Sequence, residues 1–150
     1  MAPLIYEKKT EIPCSAERLF RWHEEPAAFR RLLPPGEPVT ILHHDGHVRD
    51  GARAVLLVGP RPFRLRWELE HRDYVPDRQF CDVQLRGPFA SYRHEHRIIP
   101  VDANRSVLHD HVTFTMPLGR LGPWLGRLII LPKFERLFTF RHRITLEALS

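Results

Sequence analysis

Apolar and polar residues alternate along most of this chain, and the breaks in the alternation fall at proline or glycine. The clearest run is 63–72, where Phe63, Leu65, Trp67 and Leu69 face one way and Arg64, Arg66, Glu68, Glu70 and Arg72 the other. Successive strand side chains point to opposite faces, so this run predicts an antiparallel strand with one buried and one wet face. Residues 4–12 predict a first strand, stopped at Pro13-Cys14-Ser15. Ser15 is an N-cap candidate for a pair of short helices, whose apolar side is Leu19, Phe20 and Phe29 and which break at Pro26. Pro34-Pro35-Gly36 closes that unit.

Val39–His43 and Ala52–Val58 predict the next two strands, separated by the turn signal His44-Asp45-Gly46. After the 63–72 run, strands are expected at 79–86, 90–99 and 106–116, with turns at Pro76-Asp77, Gly87-Pro88 and Asp102-Ala103-Asn104. Connections this short favour sequential antiparallel neighbours. The pattern changes after Pro117-Leu118-Gly119. Residues 121–148 carry a helical stripe through Leu125, Leu128, Ile129, Leu137, Phe138, Arg141 and Ile144, which Pro132 must kink or interrupt. The order strand, short helices, six strands, long helix predicts an α+β fold in one domain over 1–150: a curved antiparallel sheet with the long helix in its concavity.

The chemistry concentrates on two of these strands. Phe80, Asp82 and Gln84 share a face of one, and Tyr92, His94, His96 and Ile98 a face of the next. In a plain core Asp82, Gln84, His94 and His96 would be costly, because buried polar groups need partners. A tight hairpin at Gly87-Pro88 sets Asp82 opposite His94 and Phe80 opposite His96. A loop at 102–104 then brings His96 near Asp110 and His94 near Val112. Leu108, Asp110, Val112, Phe114 and Met116 share the inward face of the last strand.

Composition narrows the function classes. The 150 residues are 43% apolar and 27% charged, in the range of globular chains, with a net charge of +5. Of 23 basic residues three are lysine and 20 arginine. Arg64, Arg66, Arg93 and Arg97 share their face with Glu68, Glu70 and Glu95, which argues against a nucleic-acid surface. Two cysteines make no disulfide framework or metal motif. There is no signal-peptide pattern, and the apolar run 121–131 is too short to span a bilayer. A cytoplasmic protein with no stable membrane insertion is expected, its oligomeric state left open.

The sequence resembles the SRPBCC superfamily, also described as START-like or Bet v 1-like helix-grip proteins, and in particular its bacterial ligand-binding or cyclase/dehydrase-like branch. The likeness rests on Ser15-Ala16-Glu17-Arg18-Leu19-Phe20 with Trp22-His23 and Pro26, then Leu33-Pro34-Pro35. It continues through Phe80-Cys81-Asp82-Val83-Gln84, Gly87-Pro88-Phe89, His94-Glu95-His96, Asp110-His111-Val112, Pro117-Leu118-Gly119 and Phe138-Thr139-Phe140-Arg141-His142. It implies a seven-stranded sheet gripping the C-terminal helix around an elongated cavity for a hydrophobic ligand, but no single chemistry. Gly36, where an aromatic residue is expected, and the interruption at Pro132 depart from the pattern.

The expected ligand-binding set is therefore Asp82, Gln84, Tyr92, His94, His96 and Asp110, walled by Trp67, Leu69, Phe80, Val112 and Phe114. Three readings follow. The polar groups position the hydroxyl or carbonyl of a small hydrophobic, amphipathic or lipid-like ligand. Alternatively His96, Asp110, His94 and Asp82 perform acid–base chemistry, as in a polyketide cyclase or dehydratase. Or they satisfy one another and only fix the sheet. No cofactor is expected, and no metal: His109 and His111 look like partners for His94 and His96 by spacing, but point to the opposite face. His23, His43, His44, His47, His71 and His142 are expected at the surface or at helix ends. Leu121–Ile130 resembles an interfacial anchor, with a pocket lid or gripped helix as the competing role.

Overall fold

A computed structural model describes residues 2–150. Strand β1 (Leu4–Ile12) is followed by helices α1 (Ala16–Glu24) and α2 (Ala28–Arg31). Six strands follow: β2 (Val39–His44), β3 (Arg53–Val58), β4 (Leu65–Val75), β5 (Gln79–Arg86), β6 (Ser91–Asp102) and β7 (Arg105–Thr115). The chain closes with α3 (Leu121–Leu125), a π-helical turn at Gly126–Ile130, and α4 (Leu131–Leu149). The strands form one antiparallel sheet in the order β1-β7-β6-β5-β4-β3-β2. The first strand thus crosses to pair with the last, while the others form a meander.

The local signals explain most boundaries. Ser15 Oγ accepts from the Arg18 backbone N–H at 3.2 Å and caps α1. Leu19, Phe20, Trp22 and His23 are the buried side of α1. On α4 the buried residues are Phe134, Phe138, His142, Thr145 and Leu149, one stripe along the helix. Pro132 neither breaks nor ends this helix. It sits at the start of α4, directly after the π turn, in which the Leu131 N–H reaches back to the Gly126 carbonyl. The wide turn is the irregularity by which the helix passes a residue that has no N–H of its own.

The 63–72 run is shifted. Strand β4 begins at Leu65, and Phe63 and Leu65 are exposed rather than inward. They lie at the end of the sheet, while Trp67, Leu69 and His71 take the inward positions.

Between sheet and α4 the space is divided. One half is filled by an aromatic cluster that includes Tyr6, Tyr92, Phe114, Phe134 and Phe138, with Trp67 and Phe89 packed against it. Gln84 belongs here too: its Nε2 donates to the Phe89 carbonyl at 2.8 Å and its Oε1 accepts from the Phe89 N–H at 3.4 Å, which clamps the β5–β6 turn. A Cβ on Gly87 would stand 2.3 Å from Trp67 Cδ1 and 2.5 Å from Gln84 Oε1. Gly87→Ala is expected to cost about 1–3 kcal/mol by overpacking, read from urea unfolding. A neutral result would show that the turn is loosely packed.

Candidate functional site

The site grows from the register of three strands. Phe80 pairs with His96 and Asp82 with His94 across β5–β6, and His94 pairs with Val112 and His96 with Asp110 across β6–β7. All these residues face α4. Their hydrogen bonds run largely along the diagonals, which long side chains reach as readily as direct partners. His94 Nε2 donates to Asp110 Oδ1 at 2.7 Å, and His96 Nε2 donates to Asp82 Oδ2 at 2.7 Å. His96 Nδ1 also lies 3.3 Å from Asp110 Oδ1. The two imidazoles stack with centroids 3.7 Å apart, and Phe80 stacks on His96 at 4.1 Å.

Two further histidines complete the network, and here the expectation that His71 and His142 are surface or helix-end residues is corrected; His23 does stand in the last turn of α1 but faces inward. All three are buried. His71 Nδ1, on β4, meets Asp82 Oδ1 at 2.8 Å. His142, on α4, donates from Nε2 to Asp110 Oδ2 at 2.6 Å, while its Nδ1 meets Thr10 Oγ1 on β1 at 2.7 Å. Asp110 thus ties the sheet to the helix, and Asp82 ties β5 to β4 and β6. The sequence did hold signals for them. His71 continues the period-two face of Trp67 and Leu69, and His142 lies four residues beyond Phe138 on the helical stripe. His23 follows Leu19 by one turn, and its Nδ1 donates to the Leu19 carbonyl at 3.0 Å.

Burial opposes every charge in this network. It alone would push His96 down, yet Asp82 and Asp110 outweigh it and hold His96 up at about 9. His94 is pushed down to about 4 by burial and by the neighbouring His96, which Asp110 offsets only in part. Burial also opposes ionisation of the two carboxyls, but it is outweighed, by His71 and His96 at Asp82 and by His142, His94 and His96 at Asp110. Both stay well below the usual carboxylate range. Burial pushes His23 down to about 4. At neutral pH the network therefore holds two carboxylates, a His96 imidazolium and neutral His94 and His23.

Asp82, His94 and His96 each offer a ligand atom within 4.8 Å of the others, the spacing of a chelating set. Asp82 Oδ2 and His96 Nε2 are already bonded to each other. The donor set fits a proton network as it stands. His109 and His111 lie on the outer face beside Glu7, apart from His94 and His96.

The cavity borders this network on one side only. It measures about 60 Å³ and lies between α1–α2, the β2–β3 loop and the sheet. Ala28, Phe29, Leu32, Val48, Leu69 and Phe80 supply an apolar wall and His23, His71, Asp82 and His96 a polar floor, while Glu24, Glu25, His44, His47 and Arg141 also border the space. Of the expected ligand-binding residues, Leu69, Phe80, Asp82 and His96 line it. Trp67, Tyr92, Val112 and Phe114 belong to the aromatic cluster in the other half, Gln84 holds a turn, and His94 and Asp110 form the layer beneath His96.

No protein-family model matches the chain, and no curated protein sequence does. Solved structures do resemble it. A nucleoside-diphosphate sugar epimerase from Corynebacterium glutamicum superposes with a TM-score of 0.72 at 21% identity, over 95% of this chain and 28% of the epimerase. The chain thus spans less than a third of that protein's length. The Zhui aromatase/cyclase from Streptomyces sp. R1128 gives 0.74 at 20% identity, over 98% of this chain and 93% of the enzyme. A START superfamily protein from Mycobacterium smegmatis gives 0.69 at 15% identity, over 97% and 99%. With the seven-stranded sheet and its gripped helix, these likenesses show that the chain has the START-like, Bet v 1-like helix-grip fold.

Proposed function

We propose that residues 1–150 act as one binding domain for a small amphipathic molecule, whose polar end rests on the floor of the cavity beside His96 and whose apolar part lies against Phe29, Leu32 and Phe80. The observation that carries this reading is a cavity in which Ala28, Phe29, Leu32, Val48, Leu69 and Phe80 form an apolar wall beside the polar groups of His23, His71, Asp82 and His96. Small-molecule sites are built this way, with a few polar groups that orient the ligand. The cavity is smaller than the roughly 150 Å³ that encloses a benzene molecule, so a ring must enter by way of the mouth.

The floor also favours a kind of head group. Nδ1 of His71 faces two acceptors, Asp82 Oδ1 and the Cys81 carbonyl, so it carries a proton. Asp82 outweighs burial and raises the pKa of His71, which favours a second proton at Nε2. His23 donates from Nδ1 to Leu19 and stays neutral, which leaves Nε2 an acceptor. A hydroxyl both donates and accepts and so suits such a floor.

Phenol followed by NMR tests this. The expected result is saturable movement of the His23 and His71 ring signals, with affinity weakened about two- to tenfold in His71→Phe, the loss of one hydrogen bond. Movement elsewhere with those rings unchanged would overturn the reading.

One observation favours a second role, acid–base catalysis in the same cavity. His96 and His94 are driven apart, to about 9 and about 4, and environments that split titratable pairs mark acid and base assignments. Under that reading His96 supplies the proton and Asp82, which its Nε2 meets at 2.7 Å and which lines the cavity, passes it to the substrate. His96→Gln would then abolish turnover of a bound substrate while leaving its binding in place.

A further inference from the structure

The segment after β7 is built inside out. Gly122 and Gly126 are its buried residues. A Cβ on Gly126 would stand 2.3 Å from Leu4 Cδ1, and one on Gly122 2.4 Å from the Pro117 carbonyl oxygen. The glycines therefore make the closest packing, and most of the large side chains point away, although Ile130 packs against the aromatic cluster. Leu118, Leu121, Trp124, Leu128 and Ile129 are between 55% and 66% exposed. An ordinary surface helix turns its apolar stripe inward. Phe63, at 79% exposed, and Leu65, at 54%, add to the same end of the molecule. The registers Val58↔Leu65, Ser91↔Thr115 and Leu4↔Phe114 place the β3–β4 loop, the β5–β6 turn and the β7–α3 segment together at that end of the sheet. The cavity uses the β2–β3 loop, at the opposite end.

The charge at this end is mainly positive. Residues 55–67, 83–94 and 112–134 contain no Asp or Glu, and Glu135, just beyond them, is paired with Lys8. Arg61, Arg120, Arg127 and Lys133 are exposed there, and among the described residues none of them makes an ion pair. Seven other arginines, Arg53 with Glu70 and Arg105 with Asp102 among them, do make ion pairs.

We infer that this end of the molecule docks peripherally on the surface of an anionic lipid bilayer. Exposed Leu, Ile and Trp beside unpaired cations fit the boundary between acyl chains and acidic head groups. The segment lies on that surface rather than crossing it, since no helix among the described residues is long and apolar enough to span a membrane. A second copy of the chain fits poorly, because a two-fold contact sets the same cations against each other with few carboxylates to offset them.

Vesicle sedimentation of the whole chain tests the inference. The protein is expected to sediment with phosphatidylcholine vesicles containing a minority of phosphatidylglycerol and far less with phosphatidylcholine alone. Added salt should release it, and Trp124 emission should move to shorter wavelength on binding. Neutralising a cation near such a surface weakens binding about fivefold, so Arg120→Gln with Arg127→Gln should lose on the order of 25-fold. Both positions are exposed, and an unchanged thermal melt would show the variant folded. Absence of sedimentation, equal binding to both vesicles, or an unaffected double variant would overturn the inference. So would concentration-dependent self-association that Trp124→Glu abolishes, which would assign the face to a second copy.

Discussion

Asp110→Ala is expected to destabilise the protein by about 3–5 kcal/mol, the most of any single change at the site. The Asp110 carboxylate is 4% exposed and joins three elements. It accepts from His94 on β6 and from His142 on α4, and it lies beside His96. Its removal leaves the His96 imidazolium with Asp82 as the one nearby counter-charge, in a site too dry for water to replace the other. Two histidine N–H groups also lose their acceptor. Asp110→Asn keeps the shape and one acceptor oxygen, so it should cost less. Urea unfolding of the two variants measures both, and a loss below about 1 kcal/mol for Asp110→Ala would mean that α4 is held by its aromatic contacts alone.

The second large effect is a stability maximum near pH 6.5. The folded-state pKa of His96 is raised to about 9 from 6.5. Its contribution is fully present below pH 6.5 and is lost as the pH rises through 9, because the folded protein then gives up a proton that the unfolded chain has already released. The shift corresponds to about 3 kcal/mol. On the acid side His23 and His94 are both lowered to about 4. The unfolded chain takes up protons there that the folded protein refuses, so stability falls between pH 6.5 and 4. Below that, protonation of Asp82 and Asp110 removes what remains. Denaturation at a series of pH values should show both limbs, and His96→Gln should flatten the limb between pH 6.5 and 9. An alkaline limb of unchanged depth in that variant would assign it to other groups.

Much of this was legible in the sequence, for reasons that can be traced to particular residues. Turn residues and period-two alternation set the strands, and short turns set their registers, so Asp82 opposite His94 and His96 opposite Asp110 followed from counting. Counting could not show that the hydrogen bonds cross to the diagonal partners, because that depends on rotamers. Nor could it place the cavity. Trp67, Tyr92 and Phe114 look like pocket wall on an inward face, but whether aromatic side chains enclose a void or fill it depends on how Phe134 and Phe138 on α4 meet them. They fill it, and the cavity lies instead under α1 and α2. His23, His71 and His142 lack neighbours at motif spacing, so only their own periodicity marks them as inward. Leu121–Ile130 resembles an interfacial anchor by composition, but only packing reveals that Gly122 and Gly126 turn inward and Leu121 and Leu128 outward.

The cavity between α1–α2 and the sheet is the proposed seat of a small amphipathic molecule. Native mass spectrometry of the chain purified from its own source tests it most directly, set beside Ala28→Leu, which fills the apolar wall at a buried position. A population of wild-type protein carrying one added small-molecule mass is expected, and none in the Ala28→Leu variant. An added mass retained in both proteins, or none in the wild type, would contradict the proposal.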